Sequence, residues 1–260
     1  EPASPTIWIA ESGPISTFSP EMMHVDGDAV LDVIVGSEDG HVAAFSGSNG
    51  APLWKCRVGG MTPGPPARAM FDNDAVEDLL SGGSDEMMYA VSGRTGTLLW
   101  KFRSGTLPME TDCLEDFNGD GLTDAALGCR GGVLCGISGR DGSVLWEFRA
   151  GSALSGILCG RDVDGDGRKE AVVGAGDGAV YAISTRDGTP VWKCAADMGV
   201  SSVSPLTDLD GDGTPDLLFG SEGGALLAIR SRNAERLWSR DKGAHLGPPP
   251  AFADANGDGA

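Results

Sequence analysis

Residues 155–200 read SGILCGRDVDGDGRKEAVVGAGDGAVYAISTRDGTPVWKCAADMGV. Four apolar runs stand out in this stretch: Ser155–Cys159, Ala171–Gly174, Ala179–Ile183 and Val191–Ala195. An acidic loop, Asp162–Glu170, separates the first two, and a Gly-Asp-Gly turn and an Asp-Gly turn separate the rest. Strands of four to six residues joined by such short turns form an antiparallel meander. No segment carries the 3.6-residue apolar period of an amphipathic helix.

The stretch is one unit of a repeat. The six tryptophans, Trp8, Trp54, Trp100, Trp146, Trp192 and Trp238, are each separated from the next by 46 residues. Ten residues before five of them stands a small residue: Ala44, Ala90, Gly136, Ala182 and Ala228. Four before stands Gly50, Gly96, Gly142 or Gly188, with Ala234 in the fifth unit, as a turn needing positive φ would select. A four-stranded meander repeated at this period is the signature of a propeller blade. The expected fold is therefore an all-β, single-domain β-propeller of four-stranded antiparallel blades at 11–56, 57–102, 103–148, 149–194 and 195–240. A split last blade from 241–260 plus 1–10 brings the count to six. Each tryptophan is expected to wedge between blades, burying a large apolar area.

The acidic loop recurs in phase. Residues 116–124 read Asp-Phe-Asn-Gly-Asp-Gly-Leu-Thr-Asp, residues 162–170 Asp-Val-Asp-Gly-Asp-Gly-Arg-Lys-Glu, and residues 208–216 Asp-Leu-Asp-Gly-Asp-Gly-Thr-Pro-Asp. Side-chain oxygens at loop positions 1, 3, 5 and 9, with the carbonyl of position 7, can converge on one hard cation, and glycine at position 6 permits the turn. Oxygen-only ligation of this count suits Ca²⁺ better than Mg²⁺. The candidate ligands are Asp116, Asn118, Asp120, Leu122 and Asp124; Asp162, Asp164, Asp166, Arg168 and Glu170; and Asp208, Asp210, Asp212, Thr214 and Asp216. A further partial set is Asp254, Asn256 and Asp258. Two copies have changed at both critical positions, with His24 and Ala29 in one and Met70 and Ala75 in the other. Those two are expected to be metal-free or weak. The metal's role would be structural, tying the first strand of a blade to the second.

The loop followed by an apolar strand and glycine, as in Asp216-Leu-Leu-Phe-Gly220, resembles the FG-GAP repeats of integrin α-subunit propellers and related bacterial proteins. The segment from Ala90 to Trp100, with its Thr-Gly-x-x-x-Trp, is similar to the tryptophan-docking motif of pyrroloquinoline-quinone dehydrogenase propellers. Together the likenesses cover nearly the whole chain. The first implies a calcium-held extracellular module for adhesion, ligand binding or assembly. The second would imply an oxidoreductase, but the chain has no adjacent Cys-Cys pair of the kind that family places by its cofactor.

Composition narrows the function. The net charge is −19, from 38 acids against 19 Lys plus Arg. That balance argues against nucleic acid and against an anionic membrane surface. No run of 18 apolar residues exists to insert in a bilayer. His24, His41 and His245 are isolated from any triad or zinc spacing, and no unit carries an inserted loop to host catalysis. Arg68, Arg130, Arg161 and His245 are the few basic departures from the repeat. The expectation is a non-catalytic, calcium-stabilised propeller, extracellular or periplasmic, with a protein or glycan ligand. The alternatives are a polysaccharide-lyase-like enzyme on the same scaffold or a structural filament subunit.

Six cysteines suit an oxidising compartment. Cys113 and Cys159 are repeat equivalents, Cys129 and Cys135 flank one hairpin turn, and Cys56 and Cys194 stand three units apart. Residue 260 is equivalent to 168 and residue 1 to 185, so the equivalents of 169–184 are missing from a closed cycle. A longer molecule is therefore expected: sixteen more residues would close six blades, and another unit or two would give seven or eight. Without them, open blade edges would invite homo-assembly.

Overall fold

A computed structural model describes residues 8, 20–60, 66–106, 114–159, 162–163, 166–196, 198–204, 208–213 and 215–241. Every regular element among them is a β-strand. The first sheet comprises β1 (Glu21–Met23), β2 (Asp32–Gly36), β3 (His41–Phe45) and β4 (Pro52–Arg57). The second has β5 (Ala67–Ala69), β6 (Asp78–Gly82), β7 (Met87–Val91) and β8 (Leu98–Arg103). The third has β9 (Leu114–Glu115), β10 (Asp124–Cys129), β11 (Val133–Ile137) and β12 (Val144–Arg149). β13 (Leu154–Cys159), β14 (Glu170–Ala175), β15 (Ala179–Ser184) and β16 (Pro190–Ala195) form the fourth. The fifth contains β17 (Val200–Val203), β18 (Asp216–Ser221), β19 (Ala225–Arg230) and β20 (Arg236–Asp241). In each sheet the four strands lie side by side in chain order, as expected for propeller blades.

Two compact units divide the chain: Glu1–Glu110 with Gly119–Asp124 and Ser138–Ser143, and Thr111–Asn118 with Ala125–Ile137 and Val144–Ala260. In the first unit the core joins the first and second sheets, where Met23, Ile34 and Val42 pack with Leu79, Tyr89 and Val91. In the second, Ala126, Leu134 and Trp146 pack with Val173, Tyr181 and Ile183, and Val172 and Val180 pack with Leu217, Phe219 and Ile229. The middle strands are buried nearly throughout because both of their faces are covered. Full burial of each such side chain stabilises by roughly 1.5–3 kcal/mol.

The repeated positions now have physical reasons. The small residue ten before each tryptophan lies directly across the ladder from it: Ala44 opposite Trp54, Ala90 opposite Trp100, Gly136 opposite Trp146, Ala182 opposite Trp192 and Ala228 opposite Trp238. A Cβ on Gly136 would come within 2.2 Å of the Trp146 ring. Five of the six indole N–H groups also reach 39 residues along the chain to a backbone carbonyl. Trp8 donates to Gly47 O, Trp54 to Gly93 O, Trp146 to Thr185 O and Trp192 to Ser231 O at 2.7–2.8 Å, and Trp100 donates to Gly139 O. The tryptophan is thus a hook as well as a wedge. Gly96, at φ +67°, answers two demands, because the Trp54 ring lies where its Cβ would be. Ala234 takes the same left-handed conformation at φ 59°.

In the first sheet, Met22, Ala29, Val30, Leu31 and Val33, with Trp8 and Gly47, line an apolar cavity of about 780 Å³. Met22, Val30 and Leu31 remain exposed there.

Candidate metal loops

Four of the acidic loops start from a buried apolar residue at position 2, whereas Leu209 in the fifth blade is part-exposed. Val25, Phe71, Phe117 and Val163 are all nearly inaccessible, and the Phe71 ring meets the Trp100 ring edge-on at 5.3 Å. This anchor fixes the loop's entry. Its exit is fixed by the carboxylate of position 9, at the first residue of the following strand. Asp32, Asp78, Asp124, Glu170 and Asp216 are all buried.

Those buried carboxylates are held by backbone amides. Asp32 Oδ2 accepts from the N–H of Val25 (2.8 Å) and Asp26 (3.2 Å), and its Oδ1 from Gly47 (3.1 Å). Asp78 repeats the pattern with Phe71 (2.8 Å), Asp72 (3.0 Å) and Gly93 (3.0 Å). Asp124 Oδ1 accepts from Gly139 N at 2.8 Å. Glu170 Oε2 accepts from Val163 N at 2.6 Å, and Asp216 Oδ2 from Leu209 N at 2.8 Å. In the first two blades position 9 therefore staples loop, strand and turn together.

The turn residue that serves this staple differs among blades. At Gly47, Gly93 and Gly139 a Cβ would lie within 2 Å of the carbonyl oxygen of Leu31, Glu77 and Thr123 respectively, so only glycine allows the close approach. Thr185 and Ser231 hold the equivalent places, and their hydroxyls donate to the matching carbonyls, Lys169 O and Pro215 O. The side-chain bond replaces the close backbone contact. In the fifth sheet Asp216 Oδ1 is buried with no hydrogen-bond partner among the described residues. Asp216 lines a cavity of about 210 Å³ with Asp212, Arg230, Arg232 and Asn233. Burial raises its pKa, and Asp210, Asp212 and Asp208 push the same way. Asp78 is also raised by burial, against the opposing pull of its amide partners.

The other positions organise the loop itself. Position 5 accepts the N–H of position 7: Asp28 from Val30 (2.7 Å), Asp74 from Val76, Asp120 from Leu122 and Asp166 from Arg168 (each 2.9 Å). Position 1 gathers the turn. Asp162 Oδ2 accepts from Gly167 N (2.8 Å), while Asp208 accepts from Gly211 N (2.7 Å) and Gly213 N (2.9 Å), which lowers its pKa. Where position 1 is His24 or Met70, that acceptor is lost. Ala75 nonetheless adopts φ 66°, the left-handed conformation glycine would take without strain.

Among the described residues, carboxylate oxygens within 4.8 Å of one another come together in three loops: Asp208, Asp210 and Asp216; Asp26, Asp28 and Asp32; and Asp72, Asp74 and Asp78. The first set joins three sequence candidates. The other two lie in the loops expected to be metal-free or weak, and sequence reading did not select them. Their signal was present in the retained acids at positions 3, 5 and 9, but the changes at positions 1 and 6 took precedence. Arginines already meet part of this negative charge. Arg94 Nε lies 3.0 Å from Asp74, Arg140 Nε 2.9 Å from Asp120, and Arg230 NH2 2.8 Å from Asp210. The Arg168 side chain donates to Phe117 O at 2.6 Å. Asp116 and Asn118 belong to the second compact unit; Asp120, Leu122 and Asp124 belong to the first. Asp164, Thr214, Asp254, Asn256 and Asp258 lie outside the described residues, as do His245, Arg161 and Cys113.

Comparison with known proteins gives the family. The family model described as outer membrane protein assembly factor BamB matches residues 5–153 and 38–254. The chain belongs to this family. Its likeness to FG-GAP repeats remains a likeness of the loops. No curated protein matches the chain. Among solved structures, BamB from Moraxella catarrhalis is 15% identical with a TM-score of 0.50, over 88% of this chain and 80% of that one. The BBS1N chain crystallised in complex with ARL6DN is 11% identical at 0.56, over 84% and 66%. Saccharomyces cerevisiae Sqt1 is 14% identical at 0.60, over 85% and 62%. This chain spans less than two thirds of the length of the latter two. These likenesses show the fold: four-stranded propeller blades.

Proposed function

We propose that this protein is a non-catalytic propeller module that holds other proteins during assembly at the bacterial cell envelope, and that calcium stabilises its blades. The observation that carries the assembly reading is the family match across residues 5–254. The unbroken 46-residue spacing agrees with it, since no unit carries an insertion to house a dedicated active site. A periplasmic or cell-surface location follows from the role in the family's description. The exposed Met22, Val30 and Leu31 suit a protein partner, including another copy of the chain, better than a glycan, which presents hydroxyls to be hydrogen-bonded.

For calcium, support comes from the donor set. In the fifth blade Asp208, Asp210 and Asp216 would hold the ion, and the open lone pairs of buried Asp216 Oδ1 are what an oxygen-seeking cation satisfies. Its chemistry there is charge neutralisation and cross-linking of the loop. Asp26, Asp28 and Asp32 form a second donor set of the same kind, as do Asp72, Asp74 and Asp78. In both of these, amides already saturate the buried carboxylate.

The test has two arms. Crosslinking in intact cells, followed by identification of the attached proteins, is expected to recover outer-membrane protein assembly components. Turnover of any polysaccharide in a panel, with no such components attached, would overturn the module reading. Titration calorimetry with calcium on metal-stripped protein checks the ion, and absence of heat at millimolar calcium would remove it.

A further inference from the structure

The third blade departs from its neighbours at the tip of its middle hairpin. In the second blade, Tyr89 Oη donates to Asp85, and in the fourth, Tyr181 Oη donates to Asp177 at 2.6 Å. Both bonds tie β-strand to turn across the same hairpin end. In the first blade His41, Ser37 and Asp39 make an equivalent polar tie. The third blade cannot, because Gly131 replaces the aspartate and Cys135 replaces the tyrosine. Opposite, where the other units have Ser37, Gly83, Ala175 and Ser221, stands Cys129. No other unit has cysteine at either position, and this one has it at both.

The two cysteines lie on one face of the β10–β11 ladder. Cys129 pairs with Val133 and Cys135 with Leu127, so the cysteines are diagonal neighbours. Their Sγ atoms are 2.7 Å apart. That is too close for two unbonded sulfurs and within a small adjustment of the ~2.05 Å disulfide bond. Cys135 is buried at 3% exposure, whereas Cys129 is half-buried and open to a reagent. We propose that Cys129 and Cys135 form an intrachain disulfide that replaces, in this blade, the tyrosine–aspartate tie of its neighbours.

The oxidant is a small or protein disulfide of the kind oxidising compartments supply. A thiolate of the pair attacks one sulfur of that disulfide, breaking its S–S bond and forming a mixed disulfide as the first reduced thiol leaves with a proton. The second cysteine loses its proton and displaces the other half. The protein pair gives up two electrons and two protons, and the oxidant becomes two thiols. The Cys129 S–H donated to Cys135 lowers the Cys135 pKa and raises that of Cys129, so the more open Cys129 must give up this proton before it exchanges.

The chain carries its own assay, since Arg130 lies between the two cysteines. The full chain is equilibrated in glutathione buffers of graded ratio and quenched in acid. Free thiols are then alkylated in denaturant, and the sample is digested with trypsin without reduction. Cleavage after Arg130 separates peptide 104–130 from 131–140. The expected result is that these peptides stay joined through Cys129 and Cys135, as located by fragmentation, and part on reduction. In Cys129→Ser and Cys135→Ser the remaining cysteine should become fully alkylated. Alkylation of both thiols at the most oxidising ratio would overturn the proposal, as would a link from Cys135 to Cys113. The wild-type digest decides the matter even if either variant fails to fold.

Discussion

The loops of the second and fifth blades look like a lapsed and an intact copy of one motif, and the structure reverses what that contrast means. In the second blade Met70 has removed the first ligand, yet Asp78 is saturated by three amides, including that of Gly93. In the fifth blade all five motif positions are retained, yet Asp216 has one amide partner and a buried oxygen with none among the described residues. The fuller motif is thus the less self-sufficient one. Changing Gly93 to its counterpart Ser231 exchanges an amide-to-carboxylate bond for a hydroxyl-to-carbonyl bond and leaves the carboxylate to find a cation.

The largest effect tests the saturated side. Asp78→Ala leaves two buried amides and one part-buried amide without an acceptor and is expected to cost about 3–4 kcal/mol, similar in chelator and in calcium, by urea denaturation. Next comes the metal. With calcium at about a hundredfold its Kd, chelation should remove roughly 2.7 kcal/mol. Thermal melting should show that most of this loss vanishes in Asp208→Asn, whereas Asp26→Asn should change it little. An equal loss of calcium response in both variants would break the comparison.

Ser231→Gly sharpens it further. Gaining the turn amide as a second partner for Asp216 should stabilise the chelated protein by about 1 kcal/mol and shrink its response to calcium. A calcium response of undiminished size would show that the turn does not govern the site. The smallest effect concerns acid. Asp39 is held down at about 2 by the Ser37 hydroxyl and by His41. A depressed carboxylate stabilises above its unfolded value of 3.8, and that contribution is lost as pH falls through the folded value. Asp39→Asn should therefore slightly lower the urea midpoint above pH 4 and converge on the wild-type midpoint by pH 2. A deficit as large at pH 2 as at pH 6 would contradict the assignment.

Much of this was legible in the chain. The tryptophan spacing and the four apolar runs located the strands to within a residue or two. In the quoted unit, Ala179–Ile183 became β15 at Ala179–Ser184. The positive φ at Gly96 followed from its place in a turn. That the Trp54 ring presses on the same glycine could not be read, because the contact joins residues 42 positions apart in sequence. For the same reason the indole hooks to Gly93, Thr185 and Ser231 stayed hidden. The acidic loops were visible as ligand sets, but competition for each oxygen was not. The amides of Gly47 and Gly93 reach position 9 from 15 residues away.

By itself, then, the sequence determined the repeat, the strand order within each blade and the supply of carboxylates, because these depend on periodicity and composition along the chain. Only the tertiary structure decided which carboxylate oxygens are already satisfied, and which cysteines meet. Those outcomes depend on the ångström-scale approach of one turn to another strand. A single Cβ, present on Ser231 and absent from Gly93, is enough to change them.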